Sequence, residues 1–293
     1  MTRSPAKFLT TRQLAQLWHV SEATIKRWAD TGQLKSGRTV GGHRRYPLAE
    51  VMRFQAERGL GAASGAPGAS QAAAAAVGSA LFDAGAAAEQ FFEAAARGHA
   101  AEAAALLLEA HMLGAPLEVV FDRVVAPSMR RVGERWHAEQ MSVADEHLAT
   151  CTAVYAVESL AASVRRAGAH ASEAVCCAAE DEMHTLGVLC AQALLEGAGW
   201  GVRNLGAHTP FFALAEYVSK QRPALVCVSS TMQRELEHNV RDYAQFTEAA
   251  RACGARVVLG GEGFRGEAAR RRFPADLHAE SISDLAAFVR GLG

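Results

Sequence analysis

Apolar and polar positions divide the chain into three rhythms. In the first, FLTTRQLAQLWHVSEATIKRWADTGQL, the residues Leu14, Leu17 and Trp18 fall on one helical face behind Thr11, which reads as an N-cap. HVSEA reads as a tight turn, with Ser21 capping a second helix that presents Thr24, Lys26 and Arg27. Two short helices about such a turn make a helix-turn-helix, whose second helix enters the DNA major groove.

The second rhythm is helical throughout residues 80–167. Four segments carry apolar residues at three- and four-residue spacing: AAAEQFFEAAARG, HAAEAAALLLEAHMLG, PLEVVFDRVVAPSMRRVGERW and SVADEHLATCTAVYAVESLAASVRRAG. Gly98, Gly114 and Gly168 punctuate their ends. Pro116 suits a first helical turn, Ser142 suits an N-cap, and Pro127 is expected to kink or split the third helix. Short links between four helices predict an antiparallel bundle.

From residue 173 the rhythm changes again. EAVCCAA, GVRNLG, ALVCVSS and ARVVLGG read as strands, with DLHA as a candidate fifth. Helical runs follow each, at HTLGVLCAQALLEGAG, PFFALAEYVSKQ, 234–253, a short stretch near 264–272, and SISDLAAFVRGL. The alternation predicts a parallel sheet covered on both faces, with ligands beyond the carboxyl ends of its strands.

Composition then marks the joints. Residues 59–79, GLGAASGAPGASQAAAAAVGS, have too little apolar bulk for a core and read as a flexible linker. The expected division is therefore 1–58, the linker 59–79, 80–167 and 168–293. The net charge of -1 conceals an asymmetry. Residues 1–58 hold 11 Lys and Arg against 4 Asp and Glu, whereas the remainder holds 19 against 27. Only the head is expected to meet a polyanion. Half the residues are apolar, with no signal-like core at the start and no apolar run able to span a bilayer, so a soluble cytoplasmic protein is expected. The six cysteines form no CxxC pair, which argues against a disulfide framework or a zinc site.

In the head, Gly41 and Gly42 permit a tight turn, His43, Arg44 and Arg45 suit phosphate contacts, and Tyr46 suits the core. As composition alone, this is a solvated basic hairpin. The run GGHRRY resembles the wing of the MerR family of winged helix-turn-helix regulators, over roughly residues 8–55. The stretch RWADTGQL after the recognition helix is shorter than in many relatives and looks closer to excisionase-type heads. The resemblance implies operator DNA as partner and binding as a dimer.

The sharpest chemical signal is Glu182-Met183-His184-Thr185-Leu186-Gly187, placed directly after the first strand of the last segment. A histidine at a helix start is in itself most often a cap or a surface residue. After Gly187 come 41 residues and then Ser229-Ser230-Thr231; after Thr231 come 28 and then Gly260-Gly261. All three pieces fall at strand ends. The pattern resembles the cobalamin-binding signature D/ExHxxG…SxL/T…GG. That resemblance implies a Rossmann-like, flavodoxin-like domain in which His184 is the lower axial cobalt ligand. Glu182 would orient it as the carboxylate partner of a ligating imidazole. Gly187, Ser229 and Thr231 would adjoin the cofactor tail, and Gly260 and Gly261 would allow close backbone approach. LGAHTP at 205–210 resembles the family's LGxxTP, with His208 where Asp is more usual; His208 reads as a surface residue.

The run Pro127-Ser128-Met129-Arg130-Arg131-Val132-Gly133-Glu134 is similar to the PxMxxVGE stretch of the helical cap in cobalamin proteins. Trp136, nine further residues and Glu146-His147 resemble the CarH/LitR group of B12-dependent photoreceptor repressors. Without the resemblance, Trp136 is a core anchor and Glu146-His147 an ordinary helix face. With it, adenosylcobalamin is implied as chromophore, with Trp136, Glu146 and His147 around the adenosyl group and His137 able to reach cobalt once that group is lost. A dark oligomer, dimer or tetramer, would bind the operator, and light would release it. Two other readings remain: a corrinoid methyl carrier of a methyltransferase system, and a cobalamin-sensing regulator indifferent to light. In the repressor readings the protein is not an enzyme.

Overall fold

The structure, a computed structural model, describes residues 8–18, 20–38, 42–58, 82–165, 172–231 and 239–292. The expected linker over 59–79 lies outside the described residues, as do Gly41 and Gly168. The chain falls into two compact units, residues 1–83 with 109–115, and residues 84–108 with 116–293.

In the first unit β1 (Phe8–Thr10) runs into α1 (Thr11–Leu17). Thr10 Oγ1 accepts the Gln13 N–H at 3.2 Å, and Gln13 Oε1 accepts the Thr10 N–H at 2.8 Å. The cap is therefore Thr10 rather than Thr11. A capping box joins residues three apart, and Thr10 is the threonine with a Gln at that distance. α2 (Glu22–Asp30) begins as expected, with Ser21 Oγ accepting the Thr24 N–H at 3.1 Å; such a cap stabilises by about 1 kcal/mol. β2 (Gly37–Arg38) and β3 (Arg44–Pro47) form the wing, and β3 pairs antiparallel with both β1 and β2. α3 (Leu48–Arg58) follows. Leu14, Ile25, Leu34 and Tyr46 are fully buried beside Trp18 and Phe54. Trp18, Trp28 and Phe54 pack with ring centroids 5.1–6.0 Å apart.

The second unit opens with α4 (Ala84–Ala96) and α5 (Ala100–Met112), of which the residues from Glu109 on are counted with the first unit. Gly98 and Gly114, both at positive φ, sit after the ends of these helices. Next come α6 (Leu117–Val120), a π turn (Phe121–Val125) and α7 (Ala126–His137), which run on as one helix. Pro127 therefore does not split the helix. It has no N–H for the carbonyl four residues back and its ring crowds that group. The π turn, one extra residue in the ladder, lies immediately before it. α8 (Val143–Val164) starts at Ser142 in a capping box with Asp145.

Five parallel strands complete the unit: β4 (Glu173–Ala179), β5 (Gly201–Thr209), β6 (Leu225–Ser229), β7 (Arg256–Gly260) and β8 (Leu277–Ala279). Their order is β5-β4-β6-β7-β8. The direction of winding reverses between β4 and β6, which makes the crevice at their carboxyl ends the expected ligand position. β4 is buried from Ala174 to Ala179, as a strand covered on both faces must be. The covering helices are α9 (Leu186–Gly197), α10 (Phe211–Gln221), α11 (Asn239–Cys253), α12 (Glu267–Arg272) and α13 (Ile282–Arg290). Phe211, Tyr243, Phe246 and Phe273 form an aromatic cluster beneath α10 and α11. Cys176, Cys177, Cys190 and Cys227 are buried free thiols, Cys253 is half-buried and Cys151 is exposed. Among the described residues no helix is long and apolar enough to cross a membrane.

Candidate functional site

The loop from β4 to α9 delivers Glu182 and His184 to the crevice. Glu182 is 1% exposed. A bare carboxylate there would cost several kcal/mol, so its hydrogen bonds decide whether it can stay. Glu182 Oε1 accepts the His184 N–H at 2.8 Å and lies 2.6 Å from His184 Nδ1. Glu182 Oε2 accepts the Thr231 N–H at 2.5 Å and, at 3.5 Å, the Ser230 hydroxyl. One carboxylate thus ties the histidine loop to the loop after β6.

The His184 side chain is half-exposed although its Nδ1 is engaged. The hydrogen bond that His184 donates to Glu182 raises its pKa above the ordinary 6.5, against burial, with further help from the charges of Glu182 and Glu146. With Nδ1–H on the carboxylate, a neutral His184 keeps Nε2 as a lone-pair donor.

Glu146 approaches from α8. His147 Nδ1 lies 2.7 Å from Glu146 Oε2, and Thr150 Oγ1 donates to Oε1 at 2.8 Å. Burial raises the Glu146 carboxyl, but the bonds from His147 and Thr150 and the charges of His147 and His184 outweigh it and hold it low. Glu146 and His184 therefore sense each other across helix and sheet. Trp136, 41% exposed, packs on His137 with ring centroids 4.7 Å apart at the end of α7.

A cleft of about 220 Å³ opens at the carboxyl ends of β4, β6 and β7, and Trp136, His137, Glu146, His147, Glu182 and His184 are not in its lining. Gly187, Val188, Ser229, Thr231, Gly260 and Gly261 line it, with Cys176, Cys177 and Cys227 also on its wall. The glycines matter unequally. A Cβ on Gly261, at φ +92°, would lie 2.2 Å from the Ser230 carbonyl oxygen, which excludes any side chain. One on Gly187 would meet Ser229 Oγ at 3.0 Å, whereas Gly260 has ordinary clearance. Close approach therefore requires Gly261 first and Gly187 second.

These features fit a cobalamin. A single imidazole with an anchored Nδ1 suits a metal already held by a macrocycle. Among the described residues no cluster of three His, Cys, Asp or Glu side chains gathers for a bare ion. The cleft, with Gly187, Gly260 and Gly261 in its lining, has room for an appendage.

Two residues were missed from sequence. Ser230, 4% exposed, joins the Glu182 network. Asp122 lines the cleft from the π turn. His208 is exposed, as expected, and its Nδ1 also accepts the Asp181 N–H at 2.8 Å. Ser230 carried a signal, lying inside the Ser229–Thr231 motif; Asp122 carried none.

In the first unit Lys26 and Arg27 are exposed on α2, and the Thr24 hydroxyl lies 3.0 Å from Ser21 Oγ. Gly42, at φ +78°, and His43 are exposed at the wing. Arg44 turns inward, its guanidinium donating to Asp30 and, at 3.0 Å, to the Lys26 carbonyl. Arg45 sits in register with Thr10 and Gly37. Tyr46 is fully buried, as expected.

Known families match three stretches of the chain. A helix-turn-helix domain matches residues 8–59, and B12 binding domains match residues 87–160 and 173–282. The chain is 32% identical over 145 residues to the HTH-type transcriptional repressor CarH of Myxococcus xanthus, covering 50% of this chain and 48% of the relative. It is 32% identical over 151 residues to the repressor CarA of the same organism, covering 51% and 49%. The chain thus aligns with about half the length of these relatives. The monomethylamine corrinoid protein of Methanosarcina barkeri shares the fold, with a TM-score of 0.58 at 18% identity over 69% of this chain and 96% of that one.

Proposed function

We propose that this chain, which carries a helix-turn-helix domain and two B12-binding domains, is a CarH-type transcriptional repressor that takes adenosylcobalamin and answers to light. The observation that carries the reading is the Glu182–His184 pair, a half-exposed imidazole anchored through Nδ1 on a buried carboxylate whose other oxygen holds the N–H of Thr231, a residue of the cleft wall.

When bound, adenosylcobalamin supplies a light-labile cobalt–carbon bond. The chain does the rest. His184 would hold the cobalt through Nε2, with Glu182 fixing its tautomer and orientation. Gly187, Ser229, Thr231, Gly260 and Gly261 receive the tail in the cleft. Trp136 gives a flat apolar surface and Glu146 carboxylate acceptors, with His147 as its partner. His137, packed on Trp136, is the second imidazole available to the metal. Thr24, Lys26, Arg27, Gly42, His43 and Arg45 face operator DNA, while Arg44 braces the wing against α2. Two or four copies would present several heads to one operator and gain avidity. Repression by a dark oligomer and release in light follow as a packing change with a distant readout.

The test uses the full chain loaded with adenosylcobalamin in darkness. Green light is expected to change its visible spectrum, reduce its elution size and weaken its hold on operator DNA. An altered spectrum with unchanged size and DNA binding would reduce the reading to a cobalamin-binding regulator without a light response. Methyl transfer with a partner enzyme and no DNA binding would replace it.

A further inference from the structure

The loop that carries Glu182 and His184 contains a backbone oddity. Asp181 lies in the left-handed region at φ +61°, where side chains other than glycine are uncommon. At the end of the neighbouring strand β5, His208 does the same at φ +50°. β4 and β5 are paired there, with Ala179 opposite Thr209 after a register shift. Two residues in an unfavourable conformation thus meet at one sheet edge.

Two hydrogen bonds tie His208 to this loop. The Asp181 N–H donates to His208 Nδ1 at 2.8 Å, and the His208 N–H donates to the Glu182 carbonyl at 2.9 Å. The peptide before Asp181 and the peptide after Glu182 are therefore each held by the same residue of β5. In front, the Glu182 carboxylate holds both the N–H and Nδ1 of His184. The chain of contacts runs without a gap from His208 through the Glu182 backbone to the imidazole at the crevice.

The geometry points to His208 as the positioning residue for the Glu182–His184 pair. Its imidazole acceptor and its strained backbone together hold the β4–α9 loop in the shape that presents His184. The loop restraint belongs to the cofactor-free chain, and its consequence for ligand binding rests on the cobalamin reading. Partners beyond the ligand shell typically change metal affinity 10–100-fold, and His208 acts one residue further out, so an effect of about tenfold is expected.

Two substitutions separate the acceptor from the backbone. His208→Gly adopts positive φ freely and offers no acceptor. His208→Asn tolerates the same backbone and offers Oδ1. Amide exchange of Asp181 in the cofactor-free full chain reads the restraint, and cobalamin affinity with its visible spectrum reads the consequence. His208→Gly is expected to expose the Asp181 amide, weaken cobalamin binding about tenfold and shift the spectrum, while His208→Asn stays near wild type in all three. A Gly variant with wild-type protection, affinity and spectrum overturns the proposal, as does an Asn variant impaired like Gly, or lost protection at unchanged affinity. If the wild-type chain takes no cobalamin, the cofactor reading falls by itself, and Asp181 exchange in the two variants still decides the restraint.

Discussion

Asp122 and Ser283, 161 residues apart, are joined twice: the Asp122 carboxylate accepts the Ser283 N–H at 2.9 Å and its hydroxyl at 2.5 Å. It also accepts the Ile282 N–H at 2.8 Å. The first N–H groups of a helix have no partners within it, and α13 already uses Ser281 and Asp284 in a capping box. Asp122 takes the two that the box leaves. One turn earlier, Glu118 accepts from Arg290 at 3.0 Å, near the other end of α13. The start of the α6–π–α7 helix thus grips α13 near both ends.

Asp122→Ala leaves two helix-start N–H groups to find water. A loss of about 1–3 kcal/mol is expected, which for a unit of this size lowers Tm by roughly 2–4 °C per kcal/mol. Thermal unfolding of the cofactor-free chain checks it. A Tm within error of wild type would mean that the grip contributes nothing.

Glu182→Gln keeps the size of the buried side chain but gives one oxygen up to an NH2 group, which cannot accept from its neighbours. Cobalamin affinity is expected to fall 10–100-fold, and His184→Ala to abolish or loosen binding with a changed spectrum. Equilibrium titration followed by absorbance reads both. Unchanged affinity and spectrum in His184→Ala would remove His184 as the ligand.

The Glu50 carboxylate in the head accepts from Arg53 and from the Lys35 N–H, and the Arg53 hydrogen bond chiefly holds its pKa down at about 2 against an ordinary 4.5. A depressed acid stabilises the folded state above its unfolded pKa and ceases to as pH falls through the folded one. The stability difference between wild type and Glu50→Gln should therefore be constant above 4.5, shrink below it and vanish near 2. Thermal unfolding across that interval measures it, and a difference independent of pH would contradict the assignment.

On the head, Lys26→Ala removes an exposed cation from the recognition helix. If Lys26 meets a phosphate, operator binding should weaken similarly on all sequences and its salt dependence drop by about one unit of slope. Arg44→Ala acts through the wing brace and should leave the slope nearly unchanged while weakening affinity. Anisotropy titrations at several salt concentrations distinguish them; a slope change in Arg44→Ala alone would exchange their roles.

The sheet domain was legible because its elements announce themselves locally. Strand ends at Ala179, Ser229 and Gly260 sit where the β-rich runs stop, so the pieces carrying Glu182, Ser229 and Gly260 could be brought to one edge without coordinates. The carboxylate partner of His184 was legible for the same reason, being two residues away. Long-range partners were not. Nothing near Asp122 announces a helix start 160 residues on, and nothing in LGAHTP announces a positive φ at His208. Arg44 reads as a free cation because its acceptor Asp30 lies at the end of α2, 14 residues back in the chain.

The π turn at Phe121–Val125 has a consequence of another kind. In a regular helix each residue turns the face by about 100°, so one extra residue re-phases everything after it by that angle. Deleting a single codon within the turn would rotate Trp136 and His137 against Glu118 and Asp122 while leaving the residues of α6 and α7 unchanged. The aim of the Trp136–His137 pair is thus set by a reading register, open to insertions and deletions where substitutions have little purchase.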